Sequence, residues 1–156
     1  MFGKGEPIIL HNGASSNMNS WDPALLSILS SNHTVVVFDQ RGIGNTTAGA
    51  KPFSIQLLAN DTAGLMDALN IQQANILGYS LGTFITQQFA IMHPDQVSSI
   101  ILIAGSCGGK NGIPQPPEFL KLQADKVNKP LNNVIVSNEE VRPELIASLV
   151  QPGWCR

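Results

Sequence analysis

Apolar residues in this chain fall into two kinds of run, short unbroken ones and longer ones at helical spacing. Pro7-Ile8-Ile9-Leu10 is β-branched, apolar and too short for a helix, so it predicts a buried strand. Thr34–Phe38, Ala74–Leu77 and Val97–Ala104 repeat that pattern, which gives four strands. Between them lie three helical patterns. Asp22-Pro23 supplies a cap residue followed by proline at the first helical position, and Leu25, Leu26, Ile28 and Leu29 form the apolar stripe that follows. Phe53–Leu69 reads as an amphipathic helix through Ile55, Leu58, Leu65, Met66 and Leu69. Thr83–Met92 carries Phe84, Ile85, Phe89 and Met92 at the same spacing. Strands that are continuously apolar rather than alternating are buried on both faces. Separated by helices, they predict an α/β fold: a mostly parallel sheet with helices on both faces.

The pattern changes after Gly105. Gly108-Gly109-Lys110-Asn111-Gly112 and Pro114–Pro117 are rich in turn residues. Phe119–Val127 and Leu145–Val150 read as short helices. The second starts either at a capping box in Ser137-Asn138-Glu139-Glu140 or at Arg142-Pro143. Residues 1–109 are therefore expected to form the α/β core, and residues 110–156 to begin a partly helical cap region. No internal repeat is present.

Composition narrows the picture. A chain of 156 residues suits one domain, able to bury about 70% of its unfolded surface. Charged residues make up 13% and the formal net charge is −2, with no basic stripe and no acidic tail, which argues against nucleic acid as a partner. No apolar run has membrane-spanning length, and Met1-Phe2-Gly3-Lys4-Gly5 is not a signal peptide. Two cysteines, Cys107 and Cys155, are too few for a disulfide framework, so a cytoplasmic location is expected. The three Asn-x-Ser/Thr sequons, at Asn32, Asn45 and Asn60, are then chance occurrences. Neither a metal nor a cofactor is expected.

One stretch carries chemistry. Gly78-Tyr79-Ser80-Leu81-Gly82 lies between a predicted strand and a predicted helix. Strand, sharp turn and helix are the context of a nucleophile elbow. There the glycines permit the tight turn and close helix packing, and strained backbone geometry aims the serine hydroxyl outward at the top of the sheet. Ser80 is thus the candidate nucleophile. A competing dinucleotide-binding motif at Gly42-Ile43-Gly44 is weaker. Thr47 replaces its third glycine, and the next helix opens only at Phe53. Cys107, near the C-terminal edge of the sheet, is a minor candidate for a reactive thiol.

With these segments in order, the chain resembles the α/β-hydrolase superfamily from about Gly5 to Gly109. The matching pieces are the strand leading into Asn12-Gly13-Ala14, then Trp21-Asp22-Pro23, Asp39-Gln40-Arg41-Gly42-Ile43-Gly44, the elbow, and His93-Pro94. The resemblance implies an eight-stranded sheet in full-length relatives, of which the four strands here match the third to sixth. It implies a serine hydrolase of small ester or lactone substrates. One oxyanion-hole donor would be the N–H of Leu81, directly after the nucleophile. The other comes from the loop after the first strand, which in the family carries His-Gly. Matching the tryptophan spacing puts Asn12-Gly13 in that slot and makes Ala14 the donor. Matching on His11 instead puts Asn12 where glycine belongs. The first register is preferred.

A catalytic triad also needs a histidine and an acid. The chain has His11, His33 and His93. His11 precedes the oxyanion loop, His33 lies in a helix-to-strand turn, and His93 ends the helix after Ser80, on the far side of the sheet. Some relatives take the acid from the end of the strand matching Val97–Ala104, but Gly105 and Ser106 stand there. Asp95 is at the wrong end of that strand, Asp125 lies in the irregular tail, and Asp39 and Arg41 read as organisers of a turn. The catalytic Asp and His are thus expected to be missing, and the chain to be an inactive fragment of a larger hydrolase. Gly3-Lys4-Gly5-Glu6-Pro7 resembles the close of a hairpin, with two strands absent before it. An uncovered sheet face would favour self-association. Two functions stay open: the serine hydrolase without its base, and a non-catalytic relative that binds a small apolar ligand or a partner. Dehalogenases need an aspartate in place of Ser80, and cofactor-free peroxidases share the fold.

Overall fold

The computed structural model describes residues 1–106 and Glu118. The expected cap region at 110–156, its two helices, Asp125 and Cys107 lie outside the described residues, Glu118 apart. The remainder is a five-stranded sheet with three helices. In chain order these are β1 (Phe2–Gly3), β2 (Glu6–His11), α1 (Pro23–Ser30), β3 (His33–Val37), α2 (Ile55–Ala68), β4 (Ala74–Tyr79), α3 (Leu81–Met92) and β5 (Val97–Ile103). The spatial order is β1-β3-β2-β4-β5. All neighbours are parallel except β1, which runs antiparallel along β3 with Phe2 opposite Val35. Pattern alone predicts four strands. The fifth, β1, is two residues long, too short to carry a hydrophobic period.

Alternation along parallel strands sorts the core into two layers. Ile9, Val36 and Ile76 share a row and point to one face, where Ala59 and Met66 of α2 and Phe89 of α3 cover them. Ile8, Leu10, Val35 and Leu77 point to the other, beneath Trp21 and the α1 residues Leu25, Leu26 and Leu29. Each large apolar side chain fully buried this way contributes about 1.5–3 kcal/mol. Helices do cover both faces, as unbroken apolar strands require. Ile28 is the exception to the predicted α1 stripe, at 70% exposed. At about 100° per residue it lies roughly a quarter-turn from the centre of the face formed by Leu25, Leu26 and Leu29. On β5, Ile100, Ile101, Leu102 and Ile103 are each 41–44% exposed.

Helix starts differ from the periodic pattern because caps, not apolar residues, set them. Asp22 caps α1 as predicted, accepting from the Ala24 N–H at 2.7 Å. Helix α2 begins at Ile55 rather than Phe53, since Ser54 is its cap and accepts from the Leu57 N–H at 3.1 Å. Helix α3 begins two residues before the predicted Thr83, directly after Ser80. Among the described residues no helix is long and apolar enough to cross a membrane.

Among the polar residues buried in this core, His11 and Thr62 face each other. The His11 ring at the end of β2 is fully buried, edge-on to Phe38 with ring centroids 5.5 Å apart. Its Nε2 lies 3.2 Å from Thr62 Oγ1 of α2. That hydroxyl gives its proton to the Leu58 carbonyl, so it accepts from His11, and Nε2 is the protonated nitrogen of a neutral ring. Nδ1 is buried with no partner. Charging such a ring would require desolvating a cation, and burial pushes its pKa down to about 3.

An acid-sensitive fold follows. The unfolded chain takes up a proton at His11 as pH falls through about 6.5, whereas the folded chain does not until about 3. Stability from this residue is therefore present above pH 6.5 and lost progressively as pH falls. Between pH 8 and pH 5 the loss is about 2 kcal/mol. Urea denaturation at the two pH values checks this, and His11→Leu should remove that part of the difference.

Candidate active site

Ser80 stands where β4 turns into α3, at the C-terminal edge of the sheet. Its backbone is at φ 51°, ψ −113°, a region that non-glycine residues rarely enter. Neighbouring contacts impose that strain. The Ser80 N–H donates to the Ile103 carbonyl of β5 at 2.9 Å, and its own carbonyl accepts from the Thr83 N–H at 3.0 Å and the Thr83 hydroxyl at 2.7 Å. Both elbow glycines are required by close packing. A β-carbon on Gly78 would overlap the Gly82 carbonyl and approach Thr86 Oγ1 to 2.6 Å, while one on Gly82 would overlap the His11 backbone. Ser80 itself is partly exposed, and Tyr79 beside it is open to solvent.

The loop after β2 lies against this serine. A β-carbon on Gly13 would lie 3.4 Å from Ser80 Cβ and 3.4 Å from the Tyr79 ring, in van der Waals contact with both, so the loop backbone runs close beside the serine. Asn12, buried, organises the loop. Its Oδ1 accepts from the Gly13 N–H at 2.8 Å and its Nδ2 donates to the Asn17 carbonyl at 2.9 Å. Its own carbonyl accepts from buried Gln40 Nε2 at 3.2 Å. Ala14 follows in an exposed turn. Leu81 is the first residue of α3, where backbone N–H groups have no partner within the helix.

The remaining candidates are held elsewhere. His11 points into the core. His33 Nδ1 lies 3.3 Å from the Glu6 carbonyl, at the other end of the strands. His93 caps the far end of α3, with Nε2 3.1 Å from Asn60 Oδ1. None of the three histidines bonds Ser80. Asp95 lies in the short 3-10 turn that precedes β5, again opposite the serine. Asp39 and Arg41 do organise turns. Asp39 Oδ1 accepts from the Met18 N–H at 2.7 Å and Oδ2 from the Asn45 N–H at 3.2 Å. Arg41 makes a two-pronged pair with Asp61 of α2 at 2.5 and 2.7 Å and donates to the Ala48 carbonyl. The carboxylate raises the guanidinium pKa further. A depression lined by Asp67, Asn70, Ile71, Gln72 and Gln96 opens at the N-terminal edge of the strands, away from Ser80. Sequence pattern overlooks the roles of Asn12, Gln40 and Thr62. Thr62 alone leaves a signal, a polar residue on the stripe between Leu58 and Leu65 where helical spacing predicts burial.

Comparison with known proteins agrees with this geometry. A family model described as the α/β hydrolase fold matches residues 6–139. A Mycobacterium tuberculosis protein named as a non-heme bromoperoxidase is 35% identical over 103 residues, covering 65% of this chain and 39% of its own length. The chain thus spans about two fifths of that relative. A solved esterase from a marine microorganism superposes with a TM-score of 0.73 at 25% identity, covering 95% of this chain and 55% of that one. The enol-lactonase of Burkholderia xenovorans gives a TM-score of 0.66 at 30% identity, covering 80% and 46%.

The elbow packing makes a direct prediction. Gly82→Ala should destabilise the fold by about 3 kcal/mol, since the new methyl group meets backbone that cannot rotate away. Its urea midpoint should drop well below that of Gly64→Ala, where a β-carbon meets nothing within 4 Å.

Proposed function

This chain belongs to the α/β-hydrolase family, and from that premise we infer that it carries the nucleophilic and oxyanion-binding half of a serine hydrolase for small esters or lactones. The observation that carries the inference is Ser80, a non-glycine residue at positive φ between two glycines that tolerate no β-carbon. Such strain persists where the surroundings over-determine it, and it aims the hydroxyl at substrate.

In the proposed reaction Ser80 Oγ attacks the ester carbonyl carbon, a base takes the hydroxyl proton, and the carbonyl oxygen becomes an oxyanion. The amides of Ala14 and Leu81 receive that charge; each such donor is typically worth about 2.7–4 kcal/mol. Two observations support Ala14 over the alternative register. Gly13, the competing donor, already gives its N–H to Asn12 Oδ1, and Gly13 brings the loop against Ser80. Collapse of the tetrahedral intermediate expels the alcohol, which takes the proton back from the base, and water then releases the acid. The printed names of relatives, an esterase and a lactonase among them, support esters and lactones as the substrate class.

The base is the missing part. All three histidines are bonded elsewhere, and the position at the end of β5 holds Gly105 and Ser106. That observation also favours a second reading, a non-catalytic relative that uses the same edge of the sheet to bind a small apolar ligand.

One experiment separates them. The chain is treated with a fluorophosphonate, with and without imidazole in the buffer, and the adduct is located by mass spectrometry. Without imidazole, labelling should be very slow. Added imidazole should accelerate it at least about tenfold, recovering part of the ~10²–10⁴ that a general base contributes. Ser80→Ala should abolish the adduct. Rapid labelling without imidazole would overturn the claim that the base is missing. A folded chain left unlabelled under both conditions would overturn the nucleophile and leave the binding protein.

A further inference from the structure

We propose that Gln40 is a positioning residue for the oxyanion hole, acting with Asp39 as a clamp on the loop that carries Ala14. The proposal rests on the serine-hydrolase function inferred above.

An oxyanion donor acts only if its N–H is held within about 2.7–3.1 Å of the place where charge develops. Residues 12–17 form an irregular connection that ends where Met18 opens a 3-10 turn, and such segments are mobile unless tied down. Here both ends are tied to the same place. At the first residue, the Gln40 side-chain amide donates to the Asn12 carbonyl at 3.2 Å, with both side chains buried. Just past the last, Asp39 Oδ1 accepts from the Met18 N–H at 2.7 Å. Within the loop, Asn12 Nδ2 reaches the Asn17 carbonyl at 2.9 Å and the Ser16 N–H reaches the Gly13 carbonyl at 3.3 Å. Ala14 lies with Ser15 between these fixed points.

The clamp itself is anchored. Asp39 and Gln40 stand two and three residues past the end of β3 at Val37, the strand beside β2, so a rigid sheet edge sets their position. Asp39 Oδ2 also accepts from the Asn45 N–H, and Arg41 ties the same segment to Asp61 on α2. The second loop of the site is thereby used as the jig for the first. Gln40 makes no bond to Ser80, so it acts on the reaction through Ala14 and not on substrate.

The test is the imidazole-assisted fluorophosphonate reaction on the full chain, followed as a function of probe concentration. Gln40→Met keeps the side-chain volume and removes the donor. It should lower the limiting labelling rate about tenfold, less than the ~10²–10³ seen when a donor is deleted outright. The half-saturating probe concentration should stay close to that of the unmodified chain, while the melting temperature falls modestly because the buried Asn12 carbonyl loses its donor. An unchanged limiting rate, or a change in half-saturation alone, overturns the proposal. Should Gln40→Met fail to fold by circular dichroism, Asp39→Ala, which removes both acceptor oxygens, carries the same test at the other end of the loop, with the same outcomes. An unmodified chain that never labels removes the serine function and this role with it. An unmodified chain that labels, beside a variant that labels equally fast, removes this role alone.

Discussion

Helix α3 can begin directly above β2 only because Gly82 carries no side chain, so that its backbone lies against the His11 carbonyl. Everything at the C-terminal edge of the sheet follows from that approach. It brings the first turn of α3 beside the end of β2, which forces β4 to enter the helix through a residue with positive φ, and that residue is Ser80. It also brings the loop after β2 against the serine, where a β-carbon on Gly13 would touch Ser80 and Tyr79 at 3.4 Å. A buried neutral histidine suits the same place. The ring of His11 fills the space under α2 and is fixed by Thr62, while its backbone supports the elbow. Core packing and site geometry are one construction here.

Much of this was legible in the sequence because it rests on periodic or local signals. Unbroken apolar runs gave β2 to β5 and their parallel arrangement, and Gly-x-Ser-x-Gly between a strand and a helix located Ser80. The Asp22-Pro23 cap was visible because both residues act locally. What stayed hidden depends on contacts between distant residues. Strand β1 has two residues and gains its identity only from pairing with β3, some thirty positions on. Thr62 reads as an interruption of the α2 stripe until His11 is seen opposite it. Gln40 and Asn12, 28 positions apart, form a buried polar pair that no window on the chain contains. Ser54 sets the start of α2 with one hydrogen bond, against an apolar pattern that begins at Phe53.

On the proposed function, the two halves of an acyl-transfer site have different structural origins in this chain. The electrophilic half is backbone: a helix start, a tight turn and a loop amide. Sheet and helix packing place all three, so they arrive with the fold. The basic half is a histidine oriented by an acid, two side chains that the packing around Ser80 does not demand. Nothing in the geometry of β4, α3 and the loop after β2 strains for want of them. In serine proteases, loss of any triad member leaves about 10³–10⁴-fold acceleration over water, from the oxyanion hole and binding alone. A chain with the elbow and the oxyanion loop in place is therefore not chemically inert on the proposed function. Its precision would depend on how firmly the loop amide is held, which makes the Asn12–Gln40 pair and the Asp39 carboxylate the groups through which the rest of the fold reaches the reacting oxygen.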